Sequence, residues 1–256
     1  MNRATRRILV VADPVEAAAA LVSSSAIDAI ARRGRFVIAL SGGSTPRKLF
    51  SRLTAAPYRE AINWKRVFFL WGDERAVPPD HPESNYRMAR EALLTPLAIK
   101  PANIFRMEAE REDLAAAAAD YERRIRTLLL EEGSQGRIDL VLLGMGADGH
   151  TASLFPGTAA LGEQTKWVAA NDVPQLGMRR MTLTYPAIGA ARKVIFLATG
   201  REKASTLKEV LEGPMDPARL PSQIAASKEG ETIWVIDEGA GAELSQANAN
   251  PADRRG

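Results

Sequence analysis

A histidine between glycines and an acid could act as a general base in GMGADGHTASLFP, residues 144–156. The chain contains two histidines, so a catalytic imidazole must be His81 or His150. Asp148, two residues before His150, can fix the ring tautomer and hold the imidazole as a base near neutral pH. His81 lies in a proline-rich turn, where a structural hydrogen bond is the simpler role. The segment predicts His150 as the base and water as the nucleophile, because Ser153 lacks the G-x-S-x-G context of a catalytic serine.

The same glycines match G-x-G-x-x-G, the pattern of a dinucleotide-binding loop. Three residues provide the match: Gly144, Gly146 and Gly149. Asp172 also lies near the offset of ~20 residues expected for a ribose-binding acid. A dinucleotide loop opens a long helix, however, and Pro156 and Gly157 interrupt the chain too early for one. We therefore expect a sharp turn that presents His150, with neither a cofactor nor a metal, and keep a dinucleotide-dependent oxidoreductase as an alternative.

A second glycine segment, SGGSTPRKLF at residues 41–50, has the composition of an anion site. Glycines let a phosphate approach the backbone, and the free N–H groups and dipole of a helix N-terminus attract it. The candidate phosphate-binding residues are Gly42, Gly43, Ser44 and Thr45. A tight turn with a Ser or Thr cap explains these residues equally well. The P-loop spacing is absent, so the segment favours a monophosphate over a nucleoside triphosphate.

Charged side chains follow the apolar run VFFLW, in GDERAVPPDHPESN at residues 72–85. Asp73 can act as a base or orient a group. Arg75 can bind a carboxylate, a phosphate or a developing oxyanion. Taken alone, a surface ion pair is the simpler interpretation of these two residues.

These segments follow short apolar runs that alternate with helical patterns, which predicts an α/β fold. Strands are predicted over residues 6–12, 35–40, 66–71, 138–143, 193–198 and 232–237. Helices are predicted over residues 14–33, 46–53, 84–94, 110–132, 201–212 and 221–226. We expect one domain over residues 1–256 with a doubly wound, mostly parallel sheet of a modified Rossmann type, a core over 8–237 and a polar tail over 240–256. Ligands of such sheets bind beyond the carboxyl ends of the strands, where all three segments fall.

The bulk composition limits the classes of function. The chain has no cysteine, which excludes disulfides, thiolate nucleophiles and cysteine-bound zinc. Its net charge of +3 comes from scattered residues, which suits a small anionic ligand better than a nucleic acid. The apolar runs are shorter than a membrane span and the basic N-terminus lacks the apolar stretch of a signal peptide. We expect a cytoplasmic monomer without a nucleic-acid or membrane partner.

Together and in this order, the three segments resemble the 6-phosphogluconolactonase family, within the larger group that includes the glucosamine-6-phosphate isomerases. The segments RMTLTYP (180–186) and TGREKA (199–204) are similar to further blocks of that family, and the likeness spans residues 8–237. The resemblance implies hydrolysis of 6-phospho-D-glucono-1,5-lactone without a cofactor, with His150 as the base. It further implies that Asp73 and Arg75 lie in the same site. For the sugar phosphate it implies the residues Gly42, Gly43, Ser44, Thr45, Lys203 and Arg180, or Arg179 in place of Arg180.

One position separates the two branches of this group. The isomerase branch is similar at DGH but carries a glutamate five residues after the histidine, as part of its ring-opening and proton-transfer machinery. This chain has Phe155 there. A phenyl ring cannot transfer a proton, which favours the lactonase over an amino-sugar phosphate isomerase. A non-catalytic sugar-phosphate sensor on the same scaffold is a further alternative.

Overall fold

The computed structural model describes residues 4–130 and 134–246 and contains two sheets. The strands in this part of the chain are β1 (Thr5–Val10), β2 (Phe36–Leu40), β3 (Val67–Trp71), β4 (Asp73–Arg75), β5 (Leu140–Leu143), β6 (Val168–Val173), β7 (Met178–Leu183), β8 (Lys193–Ala198) and β9 (Glu231–Ile236). Six of them form a parallel sheet in the order β1-β9-β8-β5-β2-β3. These are the six strands that the sequence predicts, so the mostly parallel α/β fold is confirmed.

The strand order defines where a ligand crevice can form. From β2 the chain moves outward to β3 at one edge, and from β5 it moves to β8 and β9 on the other side. The direction in which the chain adds strands to the sheet therefore reverses between β2 and β5. Ligand crevices form at such a topological switch point. β1 lies at the far edge beside β9 instead of near the centre, which is the modification of the Rossmann order. All residues of β2 and β5 are buried, as their continuous apolar sequences require.

A second, antiparallel sheet in the order β4-β7-β6 was not predicted. β4 follows β3 after the single residue Gly72, and Leu183 at the end of β7 donates a backbone hydrogen bond to Gly72 at 2.7 Å. The sheet pairs Arg75 with Arg180 and Asp73 with Thr182. It extends the carboxyl end of β3 and brings charged residues of β4 and β7 beside the switch point.

Helices surround the parallel sheet. Their bounds are α1 (Pro14–Arg33), α2 (Ser44–Leu53), α3 (Tyr58–Ala61), α4 (Asn85–Ala89), α5 (Leu114–Leu130), α6 (Tyr185–Ala190) and α7 (Ala204–Glu212). α1 has its predicted bounds, with Asp13 as the N-cap and Gly34 in the left-handed conformation at its end. α4 continues into a π-helical turn over Arg90–Leu94.

Several predicted helix boundaries differ from the structure. α2 begins at Ser44 instead of residue 46. α5 begins at Leu114 instead of residue 110, because the Asp113 carboxylate accepts the Ala116 N–H at 2.9 Å and caps the helix. Its predicted end at residue 132 lies outside the described residues. The helix predicted over 221–226 is one 3-10 turn, Pro221–Gln223, and residues 201–203 before α7 form another.

α1 has the length and apolar content of a membrane span, with a mean hydropathy of 1.3 over its most apolar window. Its apolar face includes the buried Ala18, Val22 and Ala26. This face belongs to the protein core, and the helix packs against α2, β2 and β9. The apolar composition of α1 is therefore accounted for by packing on the sheet.

The segment after β9 packs on the domain for several residues beyond the predicted start of the tail. Ala240 and Leu244 are buried in the core, and Ser245 donates a backbone hydrogen bond to Glu212 at 2.8 Å. The remainder of the predicted tail, residues 247–256, lies outside the described residues.

Candidate active site

A cavity of about 250 Å³ lies at the carboxyl ends of the parallel strands. Its wall is formed by the segments after β2, β3, β5 and β8, together with β7 of the small sheet. The predicted site residues that line it are Gly42, Gly43, Ser44, Thr45, Asp73, Arg75, His150, Arg180 and Lys203. Asp148 stands behind His150 and contacts its ring instead of the cavity. The fold thus brings the three sequence segments to one site.

The first part of this site is the start of α2, at the end of β2. Gly43 precedes the helix with φ +105°, a conformation that favours glycine, and no side chain from the described residues caps the helix. Thr45 is engaged elsewhere, because its hydroxyl lies 3.1 Å from that of Thr199. The N-terminal N–H groups of α2 are therefore free to bind an anion, and a Ser or Thr cap does not account for the segment.

Gly42 is required by the close approach of Asn85. A Cβ atom at Gly42 would lie 1.9 Å from the carboxamide oxygen of Asn85. The Asn85 amide nitrogen donates to the Asp73 backbone oxygen at 2.9 Å, which leaves its side chain on the cavity wall. Sequence reasoning missed Asn85 as a cavity residue. The one available signal was its place at the end of the GDERAVPPDHPESN segment.

Lys203 reaches the cavity because the chain turns sharply after β8. Gly200 has φ +105°, and its N–H lies 3.1 Å from each carboxylate oxygen of Asp237 at the end of β9. The turn continues as the 3-10 helix Arg201–Lys203, in which the Lys203 N–H donates to the Gly200 oxygen at 3.2 Å. Asp237 therefore fixes the segment that carries Lys203.

The charged residues of β4 point in alternate directions, as in any strand. Asp73 faces the cavity and is only 6% exposed, and its carboxylate accepts a hydrogen bond from the Ser153 hydroxyl at 2.7 Å. Arg75 lies on the same face and donates to the Glu83 backbone oxygen at 2.6 Å. The interpretation of Asp73 and Arg75 as a surface ion pair is therefore wrong.

Glu74 points away from the cavity and holds the start of α4. Its carboxylate accepts the backbone N–H groups of Arg75, Asn85 and Tyr86 at 2.7–2.8 Å and the Ser84 hydroxyl at 3.0 Å. Burial raises the pKa of Glu74, and these N–H donors oppose that rise. Glu74 is thus the anchor that places Asn85 beside Gly42.

Of the two adjacent arginines of β7, Arg180 faces the cavity. It is 8% exposed and lies 3.8 Å from the Asp73 carboxylate. Burial lowers the pKa of Arg180, and the negative charge of Asp73 partly offsets this effect. Arg179 is exposed and pairs with Asp172 at 3.4 Å on the outer side of the small sheet. Asp172 therefore lies away from the cavity, where it cannot bind the ribose of a cofactor in this site.

His150 is held at the end of the turn that follows β5. Its Nδ1 lies 2.5 Å from the Asp148 Oδ1, an interaction that places a proton on Nδ1 and leaves Nε2 as the acceptor in the neutral ring. A Cβ atom at Gly146 would lie 2.2 Å from this nitrogen, and Gly149 adopts φ +81° in the turn. The glycines thus give the imidazole space and direction. No helix follows them at once in the described chain, since residues 151–154 form another turn.

Asp148 remains ionised more readily than an ordinary aspartate. Its partial burial alone would raise its pKa. The hydrogen bond and charge of His150 outweigh this effect, so the net pKa of Asp148 is lowered. The carboxylate is therefore suited to orient the imidazole and to stabilise it when it carries a proton.

Phe155 and Ser153 are buried residues that contact the side chains of the site. The Phe155 ring is stacked on the His150 ring, with centroids 3.9 Å apart and planes inclined by 20°. Ser153 is fully buried and donates its hydroxyl to Asp73, so it is not presented as a nucleophile. His81 lies outside the cavity wall, and its Nδ1 accepts the Glu83 N–H at 3.2 Å.

Comparisons with known proteins show the family to which the chain is similar. Residues 11–234 match the family model described as glucosamine-6-phosphate isomerases/6-phosphogluconolactonase. The chain is 42% identical to the 6-phosphogluconolactonase of Synechocystis sp. over 90% of this chain and 93% of that one. It is 38% identical to that of Haemophilus influenzae over 79% of this chain and 85% of the relative.

Solved structures show the same similarity. The 6-phosphogluconolactonase from Trypanosoma cruzi superposes with a TM-score of 0.79 at 32% identity, covering 96% of this chain and 98% of that chain. A monomeric glucosamine-6-phosphate deaminase superposes with a TM-score of 0.76 at 20% identity, covering 93% of this chain and 99% of that chain. At that identity the deaminase shows the shared fold alone.

Proposed function

The chain belongs to the family of glucosamine-6-phosphate isomerases and 6-phosphogluconolactonases, and from this premise we propose that it hydrolyses 6-phospho-D-glucono-1,5-lactone to 6-phospho-D-gluconate in the pentose phosphate pathway. The observation that carries the proposal is that His150 and the uncapped start of α2 open onto one cavity. A base and an anion site in one cavity suit a substrate with a phosphate at one end and a carbonyl at the other.

The phosphate binds at the N-terminus of α2. The free N–H groups of Gly43, Ser44 and Thr45 point along the helix dipole, and the glycines permit close approach of the phosphate oxygens. Lys203, which also lines the cavity, adds a positive charge. The phosphate anchors the sugar so that its lactone carbonyl faces the other half of the site.

His150 activates the attacking water. Because Nδ1 is engaged by Asp148, Nε2 is the nitrogen that accepts the proton of the water as its oxygen attacks the carbonyl carbon. The proton then moves from Nε2 to the ring oxygen as the C–O bond breaks, which yields the open-chain acid. Base catalysis of this type contributes ~10²- to 10⁴-fold, and positioning by the phosphate adds to it.

Arginines stabilise the negative charge that develops on the carbonyl oxygen. Among the described residues, the Nε atoms of Arg75 and Arg180 are buried and make no hydrogen bond, so both retain donor capacity. Arg75 is the donor assigned to the oxyanion. Arg180, which is near Asp73, binds the sugar phosphate substrate together with Lys203.

The chemistry assigned to these residues requires no metal or cofactor. We further propose that the protein acts in the cytoplasm as a monomer, with a small-molecule substrate and no nucleic-acid or membrane partner. The scattered charge supports the absence of a nucleic-acid partner, and the small polar cavity supports a small-molecule substrate.

The substrate assignment is tested with freshly generated lactone. We expect the protein to remove 6-phospho-D-glucono-1,5-lactone faster than the spontaneous reaction and to release no ammonia from glucosamine 6-phosphate, since Phe155 replaces the proton-transferring glutamate of the isomerase branch. Ammonia release would assign the protein to the isomerases. Binding of 6-phosphogluconate without turnover of the lactone would identify a sensor, and binding of NAD(P) would favour an oxidoreductase.

A further inference from the structure

We propose that Phe155 is a positioning residue, whose ring sets the plane of the His150 imidazole and thereby directs Nε2 into the cavity. The inference rests on the proposed lactone hydrolysis and extends it to a residue that cannot itself transfer a proton. It assigns a positive role to the position that distinguishes this chain from the isomerase branch.

The two rings form a close stack. Their centroids are 3.9 Å apart, the interplanar angle is 20°, and Phe155 is 3% exposed. Stacked aromatic rings attract one another beyond the burial of their area. Rotation of the imidazole away from this plane would lose the contact and open a gap over a buried ring.

Asp148 alone does not fix the imidazole. Its side chain is 49% exposed, and the contact from its Oδ1 to Nδ1 constrains one nitrogen while leaving the ring free to swing about that contact. Within the described residues, Nε2 makes no hydrogen bond that could restrict it. The phenyl ring of Phe155 supplies the missing constraint. Its face restricts the plane of the imidazole, whereas Asp148 restricts only the Nδ1 edge.

Phe155 is itself fixed by a network behind it. The chain reverses between Thr151 and Leu154, where Ala152 adopts the left-handed conformation with φ +49°. The Phe155 backbone oxygen then accepts the N–H and the hydroxyl of Thr158 at 3.2 and 2.8 Å.

A buried amide ties this turn to the small sheet. Asn171 of β6 donates through Nδ2 to the Thr158 hydroxyl at 2.9 Å and to the Ser153 oxygen at 2.8 Å. The small sheet, which also carries Asp73 and Arg180, therefore holds the platform under His150.

The experiment compares Phe155→Leu with Phe36→Leu. Phe36 is equally buried but lies at the amino end of β2, whereas the cavity lies at the carboxyl ends of the strands. We expect kcat for the lactone to fall about 10- to 100-fold in Phe155→Leu with KM changed less than about threefold, as for a misplaced reacting group. Phe36→Leu loses stability without this loss of kcat.

Proton NMR provides a second readout that needs no turnover. The chain has two histidines, so His81→Gln assigns their C–H resonances. The ring current of Phe155 shifts the His150 resonances upfield in the wild type, and the shift disappears in Phe155→Leu or, if that variant does not fold, in Phe155→Met. A wild type without the upfield shift, or a folded Phe155→Leu with unchanged kcat, would overturn the proposal. Absence of lactone turnover in the wild type with the NMR shift present would instead contradict the proposed function.

Discussion

At the scale of single residues, the site depends on the space that Gly146 leaves beside His150. A Cβ atom there would lie 2.2 Å from the imidazole Nδ1 and 2.6 Å from the Asp148 Oδ1. Both partners of the hydrogen bond would have to move, because contacts this short do not occur between real atoms. The smallest possible side chain at this position therefore separates the base from the acid that orients it.

Gly146→Ala should lower kcat for the lactone by about 10²-fold, the effect expected for a reacting group displaced by ~1 Å. The control is Gly162→Ala, since no atom lies within 4 Å of a Cβ at Gly162. Steady-state kinetics and thermal unfolding of both variants provide the measurement. Wild-type kcat in a folded Gly146→Ala variant would show that the close contact of Gly146 with His150 is unimportant for turnover.

At the scale of the elements, the phosphate site is made by a helix that lacks a side-chain cap and a lysine delivered by a turn. The start of α2 provides N–H donors, and the Gly200 turn, held by Asp237, brings Lys203 to the same cavity. Neither element encloses a phosphate alone. Both elements would contact the phosphate and not the reacting carbon. We therefore expect loss of either one to weaken substrate binding more than it slows the chemical step.

Lys203→Ala should raise KM for the lactone by about 10- to 100-fold, because a charge-assisted contact to phosphate contributes about 1.5–3 kcal/mol. The value of kcat should change much less, since Lys203 lies away from the reacting carbon in the proposed mode of binding. Lys208→Ala, an exposed change on α7, is the matched control. An unchanged KM in Lys203→Ala would remove this residue from the phosphate site.

The sequence predicts some of these elements better than others. The six parallel strands were predictable because each contains a run of apolar residues, as in VFFLW. Five of them are buried along most of their length, and the edge strand β1 is only partly buried. The small sheet was not, because β4 is three charged or polar residues and β7 begins with MRR. Their strand structure comes from pairing with each other, a tertiary effect that local pattern does not contain. The burial of Asn85 and Ser153 and the choice between Arg179 and Arg180 followed only from that pairing.

At the scale of the whole molecule, the site lies where the two sheets meet. His150 and α2 follow strands of the parallel sheet, whereas Asp73, Arg75 and Arg180 lie on strands of the small sheet. Their junction is the backbone around Trp71 and Gly72. Tyr121 of α5 supports it, since its buried hydroxyl accepts the Trp71 N–H at 2.9 Å and donates to the Trp71 oxygen at 3.3 Å. Burial raises the pKa of Tyr121, so this hydroxyl stays neutral.

Tyr121→Phe should reduce the free energy of unfolding by about 1–3 kcal/mol, because it leaves the buried Trp71 N–H without its partner. Urea unfolding gives the value. Tyr86→Phe is the control, as the Tyr86 hydroxyl makes no hydrogen bond within the described residues; its effect should be below about 0.5 kcal/mol. Equal stabilities of Tyr121→Phe and Tyr86→Phe would mean that the hydroxyl of Tyr121 does not hold the junction.

In the proposed mechanism, His150 activates water against a lactone anchored by its phosphate. The most direct test of this mechanism is the rate of disappearance of freshly generated 6-phospho-D-glucono-1,5-lactone, corrected for spontaneous hydrolysis, in the wild type and in His150→Ala. We expect a clear acceleration by the wild type and a loss of about 10²- to 10⁴-fold in kcat for a folded His150→Ala protein. A folded His150→Ala protein with wild-type turnover would contradict this mechanism.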